Sequence, residues 1–88
     1  MVTVHLTFTI TSSFEDWVAI FDDDQPQLNK DDISTLTRGC NLDDPSQVRI
    51  VLRAPSLEVV QNNMAGNAGK IDGSGHVQES TVFEVYSE

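Results

Sequence analysis

Val2-Thr3-Val4-His5-Leu6-Thr7-Phe8-Thr9-Ile10 alternates without a break. Val2, Val4, Leu6, Phe8 and Ile10 fall on one side of an extended chain, and Thr3, His5, Thr7 and Thr9 on the other. Successive side chains of a strand point to opposite faces, and β-branched residues favour that conformation, so this stretch predicts a strand with one apolar and one polar face. Downstream the period changes. Phe14, Trp17, Val18 and Phe21 recur at i, i+3, i+4 and i+7, and Ser12 with Glu15 offers a capping box ahead of them, which predicts an amphipathic helix of two to three turns. Pro26 closes the pattern because it cannot donate to a helical ladder and restricts the residue before it.

The stretch from Gln27 to Asp32 leaves room for a short helical turn with Leu28 inward. Ile33 to Cys40 reads as a second strand, Asn41 to Ser46 as a turn cluster around Pro45, and Val48 to Ala54 as a third strand. The last has Val48, Ile50, Leu52 and Ala54 on one face and Arg49, Val51 and Arg53 on the other. Pro55-Ser56-Leu57-Glu58 opens a second helix whose Leu57, Val60 and Met64 form an inward stripe ending near Gly66. Asn67 to His76 is expected to be a loop with space for one turn around Ile71, and Thr81 to Tyr86 supplies a last strand. The resulting order, β-α-β-β-α-β, predicts an α+β protein of ferredoxin-like type. Its four-stranded antiparallel sheet would carry two helices on one face, with residues 1–88 forming one domain.

Five Lys+Arg against fourteen Asp+Glu give a net charge of −9. That charge repels phosphate backbones and anionic lipid, so neither nucleic acid nor a membrane is expected as a partner. Residues 1 to 6 have no basic segment and no unbroken apolar run, which argues against a leader or a membrane span. Cys40 is the only cysteine, so no internal disulfide can form, and a reducing cytoplasm is the expected location. A chain of 88 residues buries only about 60% of its unfolded surface, which makes association with a second copy a natural source of stability.

The sheet face turned away from the helices would gather Thr3, His5, Thr7 and Thr9 with Arg49, Val51 and Arg53. His5, Arg49 and Arg53 form a basic group on an acidic protein and are the candidate ligand-binding residues. Guanidinium forks suit carboxylates and other small anions. The competing reading is an ordinary solvated sheet face covered by long arginines. Other signals are weaker. Asp22, Asp23 and Asp24 do not start a calcium loop, since Pro26, Gln27 and Ile33 occupy positions that need other residues. Gly69-Lys70 fails as a phosphate loop because Met64 and Ile71 stand where Gly and Ser/Thr are required. Two separated histidines and one cysteine give no local zinc pair, so no metal and no cofactor is expected. Cys40 reads as a buried or half-buried inert thiol, His76 as the more accessible imidazole, and Phe14, Trp17 and Phe21 as packing. Phe83 and Tyr86 fall on opposite faces of the last strand, so one must point away from the helices.

The opening strand, the Ser-Phe-Glu-Asp-Trp helix start, Arg38-Gly39, Asp43-Asp44-Pro45 and the Ala54-Pro55-Ser56 helix start together resemble the dimeric α+β barrel superfamily. Within it they resemble a family of short uncharacterised proteins of marine cyanobacteria. The resemblance covers nearly the whole chain. It implies a homodimer whose sheets meet by their helix-free faces, in a superfamily that includes cofactor-independent monooxygenases, haem-degrading enzymes, isomerases and ligand sensors. No haem-ligating histidine and no catalytic pair of those enzymes has a counterpart here. Three functions follow as expectations: a small-molecule-binding homodimer using His5, Arg49 and Arg53; a cofactor-independent oxygenase or isomerase using His5 or His76 as proton carrier; and a protein-interaction module.

Overall fold

A computed structural model describes all of residues 1–88. The elements are β1 (Val2–Thr9), α1 (Phe14–Asp23), α2 (Gln25–Asn29), β2 (Ser34–Cys40), β3 (Gln47–Ala54), α3 (Leu57–Gly66), α4 (Ala68–Gly73), a 3-10 turn (Gln78–Ser80) and β4 (Val82–Ser87). The sheet order is β2-β3-β1-β4 with every neighbouring pair antiparallel, which is the ferredoxin-like arrangement. Each helical layer segment is a pair, α1 with α2 and α3 with α4.

Alternation in β1 and β3 decides which face carries the core. Their register pairs Val4 with Leu52, Leu6 with Ile50 and Phe8 with Val48, so both apolar rows lie on the helix side, where all six are buried. Ile10 and Ala54 at the strand ends, Trp17 from α1, Leu28 from α2, Ile33 just before β2, and Val60 from α3 complete that core. Burying a side chain of this size contributes about 1.5–3 kcal/mol, so the two central strands anchor the fold. On β4, Phe83 faces the core opposite Leu6, and Tyr86 lies on the helix-free face opposite Thr3.

Several expectations change in detail. Ser13, not Ser12, caps α1 by accepting from the Asp16 amide at 3.1 Å. Ser12 instead donates its hydroxyl to the Ser74 carbonyl at 2.9 Å, so it is already engaged across the chain. Regular pairing of the first strand ends at Thr9, and Ile10 forms an isolated bridge to His76. The turn expected at Gln27 to Asp32 is displaced toward the N-terminus as α2, with Pro26 in its first turn, where a missing amide costs nothing. Ile33 precedes β2 and is buried. The loop from Asn67 contains the helix α4, longer than one turn at Ile71.

Cys40 is exposed, contrary to the buried or half-buried thiol expected, because β2 is an edge strand and Cys40 is its last residue. His76 is also reversed. It is 7% exposed, since its bridge to Ile10 sets it on the core side. The β2–β3 pairing carries a bulge between Thr35 and Thr37, leaving Leu36 as the inserted, exposed residue.

Candidate functional site

Two regions hold polar chemistry, one on each face of the sheet. On the helix-free face, β1 and β3 place His5, Arg49 and Arg53 together as their periodicity requires, but the three do not form one cluster. Arg49 Nη2 lies 3.0 Å from His5 Nδ1. A guanidinium only donates, so Nδ1 is the acceptor and the imidazole proton sits on Nε2. Arg53 turns instead to Glu88 and donates from Nε to both carboxylate oxygens, at 2.9 and 3.0 Å. β4 adds two residues that single-strand reasoning does not find. The Tyr86 ring packs edge-on against His5 with centroids 5.0 Å apart, and its hydroxyl donates to Glu84 at 3.0 Å. That carboxylate pushes the Tyr86 phenol above its usual pKa. Arginines therefore stand on β3, glutamates on β4 and near its end, and His5 between them.

The other region lies between the sheet and the helices. A pocket of about 70 Å³ opens there, several times the roughly 10–15 Å³ that one water needs and about half the roughly 150 Å³ of a cavity that takes up benzene, so an aromatic ring enters only as the pocket widens. Phe8, Leu6, Ile50 and Leu52 form its sheet wall. Trp17, Ile20 and Phe21 of α1 face Val60 and Met64 of α3 across it. The aromatic rings are ordered by contact, with Trp17 stacked on Phe21 at 4.9 Å and tilted against Phe8 at 5.5 Å.

His76 is the titratable ring within this apolar lining. It stacks on Phe8 with centroids 3.8 Å apart, and its Nε2 lies 2.7 Å from Thr81 Oγ1. Burial lowers its pKa to about 4, with Asp72 pulling weakly the other way, so the imidazole is neutral at ordinary pH. A neutral ring of this kind can exchange a hydrogen bond or accept a proton beside an apolar ligand. At the pocket mouth, Asp24 accepts from Asn67 Nδ2 and Lys70 Nζ, both at 2.7 Å. No group of three or more His, Cys, Asp and Glu residues is arranged to hold a metal ion.

The sequence singled out Trp17, Phe14 and Phe21 as packing, and Trp17 is indeed buried. What periodicity could not reveal is that the aromatic stripe borders a space. Nor could it show that His76, sixty-eight positions from Phe8, lies flat against it. The Ser74-Gly75 turn, with Gly75 at φ +94°, leads into the bridge between His76 and Ile10 that sets the imidazole on the core side.

The family model described as "Domain of unknown function (DUF3764)" matches residues 1–88, and the chain belongs to that family. No curated protein matches the sequence. Among solved structures, the chain is similar to SnoaB of Streptomyces nogalater, a cofactor-independent oxygenase, at 10% identity and a TM-score of 0.67. The match covers 99% of this chain and 91% of that one. It is similar to a proposed antibiotic biosynthesis monooxygenase of Bordetella bronchiseptica at 8% identity and a TM-score of 0.76, covering 99% and 95%. A third is the 5-chloro-2-hydroxyhydroquinone dehydrochlorinase TftG of Burkholderia phenoliruptrix, in complex with 2,5-dihydroxybenzoquinone. It matches at 12% identity and a TM-score of 0.57, covering 100% and 95%. These likenesses establish the fold, a ferredoxin-like unit of the dimeric α+β barrel type.

Proposed function

We propose that this member of the DUF3764 family is a homodimer that binds a small, flat, largely apolar organic molecule in the pocket between sheet and helices. The observation that carries the reading is the pocket itself: a mostly aromatic and aliphatic lining, charged groups at its mouth, and a buried neutral imidazole beside Phe8. Support from outside the chain comes from TftG, a protein of the same fold that holds a quinone ring. The helix-free face then receives the second copy. It carries half-buried threonines, Val51 and Val82 with Tyr86, and its arginines and glutamates on opposite sides of β1 let two copies meet by charge complementarity. Any anion held by His5, Arg49 and Arg53 would lie between the copies. The exposed, unpaired Cys40 suits a reducing compartment such as the cytoplasm.

Trp17 is the sole tryptophan and lines the pocket, so its fluorescence reports occupancy directly. Nitrobenzene, a neutral quencher that does not react with Cys40, is expected to quench it with a saturable component. Val60→Phe fills the pocket and should remove that component while the circular dichroism spectrum is kept. Purely linear quenching in the native protein would refute the binding reading.

A second reading, a cofactor-independent oxygenase or isomerase, is favoured by one observation, the neutral His76 that lines the pocket where a ligand ring would lie. Hydroxyhydroquinone offered under oxygen separates the two. Turnover that His76→Phe abolishes, with nitrobenzene binding intact, supports an enzyme. Binding without turnover supports the sensor or carrier.

A further inference from the structure

We propose that α4 is a lid over the pocket, hinged on Gln78 and latched by Asp24; this rests on the pocket reading above and adds how the space is entered. α4 runs only from Ala68 to Gly73, has no side-chain cap at its start and buries none of its residues, although Lys70 and Ile71 line the pocket. A segment with so little buried surface belongs to the low-stability end of a fold, where local opening is cheap. What holds it is polar and unevenly distributed.

On one side, Gln78 Nε2 donates to both ends of the helix, to the Ala68 carbonyl at 3.2 Å and to Asp72 Oδ1 at 2.6 Å. Two bonds from one side chain, spread along the helix, define an axis about which it can turn. On the mouth side a single carboxylate does the fastening. Asp24 sits at the junction of α1 and α2, with its side chain only 16% exposed, and grips Asn67 at the start of α4 and Lys70 one turn on. Lys70 itself is half exposed. Rotation about the Gln78 side breaks the Lys70–Asp24 pair first and uncovers Trp17, Phe21 and Met64. The other end of α4 stays fixed, because Ser74 is buried and its carbonyl accepts from the Ser12 hydroxyl while the Gly75 carbonyl accepts from the Thr11 amide, so the movement is confined to the side of Asn67 and Lys70. An ion pair this close to solvent is weak enough to release on the time scale of ligand entry.

The test is Lys70→Met, which keeps the aliphatic stem and removes the ionic half of the latch, leaving only the Asn67 hydrogen bond to Asp24, with Lys30→Met as the charge-matched control on an exposed lysine outside the pocket. The first readout needs no ligand. The native Trp17 is 3% exposed, and its collisional quenching by acrylamide should rise severalfold in Lys70→Met but not in Lys30→Met. Amide exchange over residues 68–73 should accelerate in parallel, with that of β1 and β3 unchanged. In stopped flow with nitrobenzene, association and dissociation should both speed up severalfold. Acrylamide quenching and exchange that match the native protein would overturn the lid. If nitrobenzene fails to bind the native protein while acrylamide access still rises in Lys70→Met, the pocket function falls and the lid stands.

Discussion

His76 ties the acid stability of this protein to one buried ring, and replacing it with Phe isolates the effect. In the unfolded chain the imidazole takes up a proton near its ordinary value of 6.5; in the folded chain it does so only near 4. Above pH 6.5 both states hold it neutral and no stability is lost. Between 6.5 and 4 the unfolded state binds the extra proton, so unfolding becomes easier as pH falls. Each unit is worth at most 1.36 kcal/mol, so the window amounts to about 3 kcal/mol. That is a large share of the roughly 5–10 kcal/mol expected for so small a protein. His76→Phe keeps a flat ring against Phe8 but cannot titrate. It forfeits the hydrogen bond to Thr81, at a cost of about 1 kcal/mol at pH 7. Urea unfolding followed by Trp17 fluorescence, at one protein concentration from pH 7 to pH 4, should show two curves that cross at about pH 5–6. The variant is the less stable at pH 7 and the more stable, by about 2 kcal/mol, at pH 4. The other acidic groups are common to both proteins and cancel in the difference. Parallel curves throughout would refute the argument that burial keeps this ring neutral.

Three further outcomes follow from other parts of the molecule. Gly75→Ala should destabilise by about 1–3 kcal/mol in chemical denaturation, because Gly75 has φ +94° and an added Cβ would lie 2.6 Å from Ser12 Oγ and 2.9 Å from its backbone nitrogen. Light scattering should give a mass twice the 9.7 kDa of one chain, and Val51→Asp, at the middle of the helix-free face, should return it to the single-chain value with the far-ultraviolet spectrum unchanged. A native protein of single-chain mass would remove the second copy from the proposal. The Cys40 thiol should react fully with an aromatic disulfide reagent without denaturant, since it is exposed in the folded chain; slow reaction limited by unfolding would contradict its placement.

Where a side chain faces was legible wherever strand alternation alone decides it. Val4, Leu6 and Phe8 on one side and His5 on the other follow from a period of two, and β3 repeats the rule with Ile50 against Arg49. The helix starts were legible to within a residue, since Ser12 and Ser13 both satisfy the local capping pattern and only the distant Ser74 carbonyl separates them. What could not be read was anything set by the partner a side chain finds. Arg53 belongs to Glu88 and Arg49 to His5, a division settled by β4 arriving beside β1. His76 sits in a stretch of Gly, Ser and Asp that announces a surface loop, and its burial comes from one bridge to Ile10. The pocket was invisible for the same reason, because apolar periodicity marks a face as inward without saying whether the facing element reaches it.

The bulge at Leu36 has a consequence for how sheets of separate molecules can join. A sheet grows into an open filament only if each copy offers two compatible edges, one to receive and one to add. Here β2 interrupts its own regular spacing at Thr35–Thr37, which twists an edge away from a straight incoming strand. β4 is regular and unpaired on its outer side. With one usable edge per chain, strand-to-strand joining of single chains stops at two, edge to like edge, whereas a pair already joined by its helix-free faces would present two β4 edges, one from each copy.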